Sequence, residues 1–367
     1  MVNENIEFLI TIRCEYSYCI DNRSDSECAI HGCRMLRYCT LLVWLTLLAA
    51  CSAPEVRVGD PLEERIFRSR DLAELSRDDL IAKLDTASVI YLGEKHDNPR
   101  QHALQLDIVR TLIARGRHPA IGFETFAVSQ TSLLMSYATG KTSKSLQGKM
   151  PPPEERLRQA LGWGKQRDQS WAFYGPLVQT AREHQLAIFG IDLPRPLRRR
   201  IARVGVDGLT KVEQRLLDAT APRSDAYADL MRARLKAMHC GHGSDAYIDR
   251  LYQNWVARND TMATAISDMV AGQDGEPVVL ILGAGHTQHN MGAYARVAEL
   301  VPGIEQVNLA FREVAETPLP VDELLHAHEF EGTRYAPDHE YVWFTARAGE
   351  PAPDPCEHFG KKPEKTS

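Results

Sequence analysis

"VIYLGEKHDNPRQHALQLDIVRTLIARGRHPAIGFETF", residues 89–126, decides the fold. It opens on an apolar run without alternation, as a strand covered on both faces would. The run breaks at Gly93 and meets four ionisable residues, Glu94, Lys95, His96 and Asp97. After Pro99, Leu104, Ile108, Leu112 and Ile113 recur at helical spacing, and Gly116 is placed to end the helix. "PAIGFE" (119–124) then reads as a second buried strand. Strand, helix, strand is the βαβ unit, which builds a parallel sheet.

Working outward, "QLAIFGID" (185–192), "PVVLILGAGH" (277–286), "QVNLAF" (306–311) and "YVWFTA" (341–346) repeat the buried-strand pattern. The expected fold is α/β, a central mainly parallel sheet flanked by helices. Stretches 126–184 and 194–272 are mostly helical and too long for simple crossovers. They are expected as helical insertions forming a lid over the C-terminal strand edge. Upstream, "RDLAELSRDDLIAKL" (70–84) reads as helix, with Ser76 and Asp79 resembling a capping box.

The 367 residues carry a net charge of −6, with 44% hydrophobic and 25% charged side chains. That composition is globular and lacks the basic surface nucleic acid would want. Of eight cysteines, Cys14, Cys19, Cys28, Cys33, Cys39 and Cys51 crowd the start, at spacings that match no common zinc pattern. "MLRYCTLLVWLTLLAACSAPEV" (35–56) explains them better. Arg37 precedes an apolar run, 39–50, too short to span a bilayer but suited to a secretory signal peptide. Leu48-Ala49-Ala50-Cys51 resembles a bacterial lipobox, in which the cysteine becomes the lipidated first residue. The expected organisation is a non-native extension (1–34), a signal peptide (35–50) and a lipidated N-terminus with linker (51–84). The α/β domain (85–348) and a flexible tail (349–367) follow. Ser52 after the cysteine points to the outer membrane, so the expected location is the cell envelope. With only Cys240 and Cys356 left, core packing rather than a disulfide scaffold is expected to hold the fold.

Ligands of open parallel sheets bind outside the carboxyl ends of the strands. Four strands here end in polar residues: Glu94, Lys95 and His96; Glu124; Asp192; and His286 with His289 in "LGAGHTQH". Each alone also reads as a surface ion pair or a satisfied buried group. Their recurrence on one edge points to a site. Glu94 and Glu124 are expected to orient His96 and His286 by accepting imidazole hydrogen bonds. The helix after Pro99 is expected to aim its positive end at an anion.

"YLGEKHDNPRQHALQLDIV", "IGFETF", "ILGAGHTQHNMGAYARV" and "YQNWVARNDTMATAI" resemble the ChaN-like family of bacterial haem-binding lipoproteins. More remotely, they are similar to the TIKI/TraB proteins and the erythromycin-esterase-like hydrolases. The resemblance covers roughly 85–312 and implies an α/β domain binding haem, or another iron porphyrin, in haem or iron uptake. On that reading Lys95, His96 and Arg100 hold the propionates, with His286 beside the ligand. Tyr174, in "WAFYGPL", is the expected iron ligand and Tyr252 the next, since a phenolate is a hard donor for ferric iron. Expected partners are haem, the membrane through Cys51, an outer-membrane haem receptor and a second copy of the chain. No Cys-x-x-Cys-His occurs, so c-type attachment is excluded. The alternative is a hydrolase using Glu94, His96, Glu124 and His286, either around a divalent metal or as metal-free acid and base. No H-E-x-x-H, G-x-S-x-G or P-loop supports it.

Overall fold

The computed structural model describes residues 60–140, 153–164, 168–217, 224–349 and Cys356. The expected 1–34 extension, the 35–50 signal peptide, Cys51 and nearly all of the 350–367 segment lie outside them. Two short strands begin the sheet, β1 (Ile66–Arg68) and β2 (Ala73–Leu75), followed by helix α1 (Arg77–Thr86). A single helix over 70–84 is therefore corrected. Leu72 turns the chain at a left-handed φ of 57°, and Ser76 takes the N-cap in a full capping box with Asp79.

The βαβ unit follows as β3 (Val89–Glu94), α2 (Pro99–Ala114) and β4 (Ala120–Ala127). A 3-10 turn (Val128–Gln130), α3 (Thr131–Ala138), α4 (Pro153–Ala160) and α5 (Asp168–Glu183) form the first insertion, which ends at β5 (Ile188–Asp192). The second holds α6 (Arg195–Val204), α7 (Lys211–Gln214), α8 (Asp225–Met238) and α9 (Asp245–Ala271). Then come β6 (Val278–Gly283), α10 (Ala293–Leu300), β7 (Gln306–Glu313) and α11 (Val321–Leu324). The hairpin β8 (His328–Phe330) and β9 (Thr333–Tyr335) and the last strand, β10 (Tyr341–Thr345), complete the described chain.

The eight-stranded sheet has the order β2-β1-β10-β7-β3-β6-β4-β5. Its six long strands are parallel, and β1 alone runs against them, pairing antiparallel with both β10 and β2. Both faces are covered. Ile90, Leu92, Phe123 and Ile281 pack with α1, α2 and α5 on one side. Tyr91, Phe189, Leu280 and Leu282 pack with Met262 and Ile266 of α9 on the other. That double burial is why the strands read as continuous apolar runs.

Two features place the site. β3 and β4 are consecutive in the chain but separated by β6, so a crevice opens where the order switches. β4 also bulges against β5: Phe123 faces Gly190 and Ala127 faces Asp192, so three residues stand opposite one. Glu124 is the first of those three. Elsewhere, Cys240, just after α8, forms a disulfide with Cys356. Core packing thus has covalent help, which two cysteines 116 residues apart do not announce in sequence.

Candidate functional site

Glu94 ends β3 with its carboxylate buried among donors. It accepts from Tyr174 Oη at 2.7 Å, Gln105 Nε2 at 2.6 Å and His96 Nδ1 at 2.9 Å, while His102 Nδ1 lies at 3.3 Å. Burial, reinforced by this carboxylate, pushes the Tyr174 phenol well above its ordinary range. Because a carboxylate only accepts, Nδ1 of His96 must donate, and in the neutral ring Nε2 keeps its lone pair. Nε2 makes no hydrogen bond among the described residues. It faces Gly283, where an added Cβ would lie 3.1 Å away. The bond to Glu94 raises the His96 pKa against the effect of burial, and Glu124 adds to the rise.

The β4 bulge carries Glu124 to the same edge. Its Oε2 accepts from the Gly283 N–H at 2.6 Å and its Oε1 from Arg258 Nη2 at 2.6 Å, with His286 Nε2 3.3 Å from Oε1. Arg258 also grips Asp192 at the end of β5, through Nε and Nη2 at 2.9 Å each. Arg198 Nη1 reaches Asp192 at 2.5 Å. Two carboxylates and two guanidiniums therefore balance in a largely desolvated cluster. Burial alone would raise the Glu124 carboxyl, but His286, Arg258 and His96 outweigh it and hold it well below the usual range. His286 stacks on Trp255 with ring centroids 4.4 Å apart. Its Nδ1 donates to Asn259 Oδ1 at 3.0 Å, because the Asn259 amide N–H is already given to the Trp255 carbonyl at 2.8 Å.

Above this floor lies a cavity of about 710 Å³, within the size range of small-molecule sites. His96, Glu124, Tyr174 and Asp192 line it from below. Leu161, Trp163 and Leu193 give it apolar walls, and Arg195 and Arg198 stand on its α6 side. Both insertions contribute to its lining.

Of the sequence candidates, Glu94, His96, Glu124, Tyr174 and His286 converge here, with Asp192. Lys95 and Arg100 do not line the cavity. Lys95 Nζ is held by Glu313 at 2.9 Å, and Arg100 forms two bonds of 2.7 Å to Glu64. The start of α2 offers no open anion site either: Asn98 Oδ1 accepts from the N–H groups of Arg100 and Gln101. His289 lies apart, between the Ala336 carbonyl and Arg234 Nη2, each at 2.7 Å. Tyr252 packs between α8 and α9 beneath the guanidinium of Arg232. Arg258, Asn259 and Arg198 were not anticipated. The available signal was "ARND", where polar residues interrupt an apolar helix and Asn259 and Asp260 are 1% exposed.

No group of three or more His, Cys, Asp or Glu among the described residues could hold a metal ion. The divalent metal of the alternative reading is unsupported, for a physical reason: Arg258 fills the place between Glu124 and Asp192 that a cation would take.

The family model for ChaN, haem-binding uptake proteins of the Tiki superfamily, matches residues 80–297. The chain belongs to that family. Its structure is similar to ChaN of Campylobacter jejuni, which binds haem cofacially. The likeness covers 76% of this chain and 95% of that one at 18% identity, with a TM-score of 0.55. A mutant erythromycin esterase, EreC, in its open conformation is more distant: 14% identity over 65% of this chain and 73% of that one, TM-score 0.39. No curated protein matches the sequence. ChaN membership and the C. jejuni likeness agree with the fold built above.

Proposed function

We propose that this ChaN-family chain binds haem, or another iron porphyrin, in the cavity over β3, β4 and β5, with His96 as the iron-facing donor. His96 carries the reading. A buried carboxylate fixes its Nδ1, and among the described residues its Nε2 makes no hydrogen bond where the ring meets a mixed polar and apolar cavity, an arrangement that orients a metal-binding imidazole and raises its basicity. Tyr174 is the competing ligand. Its hydroxyl donates to Glu94, and ionising it beside that carboxylate is disfavoured. For the propionates Arg195 and Arg198 are better placed than Lys95 and Arg100. Haem uptake at the cell envelope fits a chain lipidated at Cys51 and held at the outer membrane, delivering to or from a receptor there. The Cys240–Cys356 disulfide supports export, because such bonds persist in oxidising compartments. A homodimer that brings two such cavities together would resemble the cofacial binding of the C. jejuni protein.

Hemin titration followed by visible absorbance tests the site. His96→Ala is expected to change the bound spectrum and Tyr174→Phe to leave it nearly unchanged. Arg195→Ala is expected to weaken binding by about 1.5–3 kcal/mol if it holds a propionate through a charged hydrogen bond. An unaltered spectrum in His96→Ala would transfer the ligand role to Tyr174, and no saturable hemin binding by the wild type would end the proposal. A metal-free hydrolase remains the second reading, because the same Glu94–His96 pair could act as a general base. In that case ester turnover, absent in His96→Ala, would appear without hemin affinity.

A further inference from the structure

His289 does not line the cavity, yet its surroundings decide how it is protonated. Its side chain is 1% exposed, in the turn that follows β6 (Ala284–Asn290). Nδ1 lies 2.7 Å from the Ala336 carbonyl oxygen, which can only accept, so Nδ1 carries a proton. Nε2 lies 2.7 Å from Arg234 Nη2 of α8, and a guanidinium can only donate. Nε2 must therefore offer a lone pair, and the ring is neutral. Gln288 Oε1 accepts from the other arm of the same guanidinium. The backbone is held as firmly: the His289 N–H donates to the Asp338 carbonyl at 2.7 Å. His289 and Asn290 keep left-handed φ angles of 59° and 55°, which residues other than glycine hold where their neighbours enforce them. One imidazole thus ties helix α8 to the segment between β9 and β10.

We infer that His289 is an acid-released latch: the neutral ring joins α8 to Ala336–Asp338, and protonation breaks the join to α8. A proton on Nε2 would set two N–H donors, and two cations, 2.7 Å apart. The imidazolium has a better partner within reach, because Asp338 Oδ1 is 3.5 Å from Nε2. Arg234 is half-buried, so its guanidinium can turn to water. Three more titratable groups surround the ring. His328 of β8 stacks on it at 5.8 Å between centroids, Tyr335 of β9 lies at 5.4 Å, and His339 donates through Nε2 to the Ala284 carbonyl at 2.9 Å. Burial holds the His289 pKa below the ordinary imidazole range and Arg234 and His328 add to that, against the Ala336 bond and Asp338. The sign follows: stabilisation by the latch is complete above about pH 6.5 and is lost as pH falls toward the folded value. Once released, α8 still rests on α9 through Tyr227, Met231 and Leu235 against Ile248 and Tyr252, so it loosens without leaving the fold. The latch is independent of whether the cavity takes haem.

Hydrogen exchange on the whole, ligand-free chain at about pH 7.5 and about pH 5, corrected for intrinsic rates, tests the latch. Peptides from α8 are expected to exchange about fivefold faster or more at the lower pH, while those from β3 and β6 keep their protection. Arg234→Met should exchange fast at both pH values, so that the ratio between them falls to about one. A merely structural Arg234 would instead raise both rates and leave the ratio as it was. His289→Asn, which tolerates the left-handed backbone and does not titrate, should also abolish the step, whereas His328→Gln should keep it. Imidazole nitrogen resonances give a second readout: His289 is expected to be neutral with its proton on Nδ1 at about pH 7.5, and to titrate at higher pH in Arg234→Met. No step in the wild type, an undiminished ratio in Arg234→Met or His289→Asn, loss of the step in His328→Gln, or a charged His289 at about pH 7.5 would each overturn the inference.

Discussion

Arg258 brings no reactive group to the cavity, yet Glu124 and Asp192 both depend on it. Removing one partner of a buried ion pair leaves the other charged and unpaired, which typically costs about 3–5 kcal/mol. Arg258→Met is therefore expected to lose stability of that order, read from urea unfolding at neutral pH; an unchanged midpoint would show that the cluster is not desolvated. The pH dependence has a definite sign. Glu124 is held below its unfolded value, so its stabilisation is present above about pH 4.3 and fades as pH falls through the folded value. His96 runs the other way: its raised pKa gives stabilisation that is complete below about pH 6.5 and fades as pH rises. In Glu124→Gln the loss of stability on acidification below about pH 4.3 should flatten. The strand-end groups Glu94, Glu124 and His286 were legible because a strand's last residues announce where it leaves the sheet. Lys95 and Arg100 were misread because Glu313 and Glu64, which hold them, come from distant segments with no pattern to mark the pairing.

At the scale of elements, the β4 bulge links fold to site. A Cβ added at Gly190 would sit 2.2 Å from the Ala127 carbonyl oxygen, so β5 can approach the bulged strand only without a side chain there. Gly190→Ala is expected to destabilise the protein by about 1–3 kcal/mol through overpacking and to weaken hemin binding as Glu124 shifts. Ser76→Ala, which removes the α1 cap, is expected to cost about 1 kcal/mol and leave hemin binding unchanged. Equal hemin affinity in both variants would detach the bulge from the site. The six parallel strands were visible as apolar runs because they are buried on both faces. The β1–β2 hairpin was hidden because its three-residue strands lie beside a charged stretch with helical spacing, too short to show a period of two.

For the molecule as a whole, the proposed export and the oxidation of the cysteine pair would make one measurable state. Intact mass of the protein recovered from cell envelopes is expected to show a chain starting at lipidated Cys51 and lighter by two hydrogens for the disulfide. Retention of residues 1–50, or two free thiols, would refute the corresponding half. Reducing the bond, which spans 116 residues, is expected to cost about 2–5 kcal/mol in urea unfolding, within the usual range for a native disulfide. A parallel α/β sheet was predictable from periodicity, but this link was not, since two cysteines so far apart carry no spacing signal.

The disulfide also has a combinatorial consequence. Eight thiols can pair completely in 105 ways. A start at Met35 would leave out Cys14, Cys19, Cys28 and Cys33, cleavage before Cys51 would discard Cys39, and a thioether to lipid would take Cys51 out of circulation. On the proposed route, maturation thus leaves two cysteines and one possible partner for each, so the chain would need no isomerase to choose among wrong pairings.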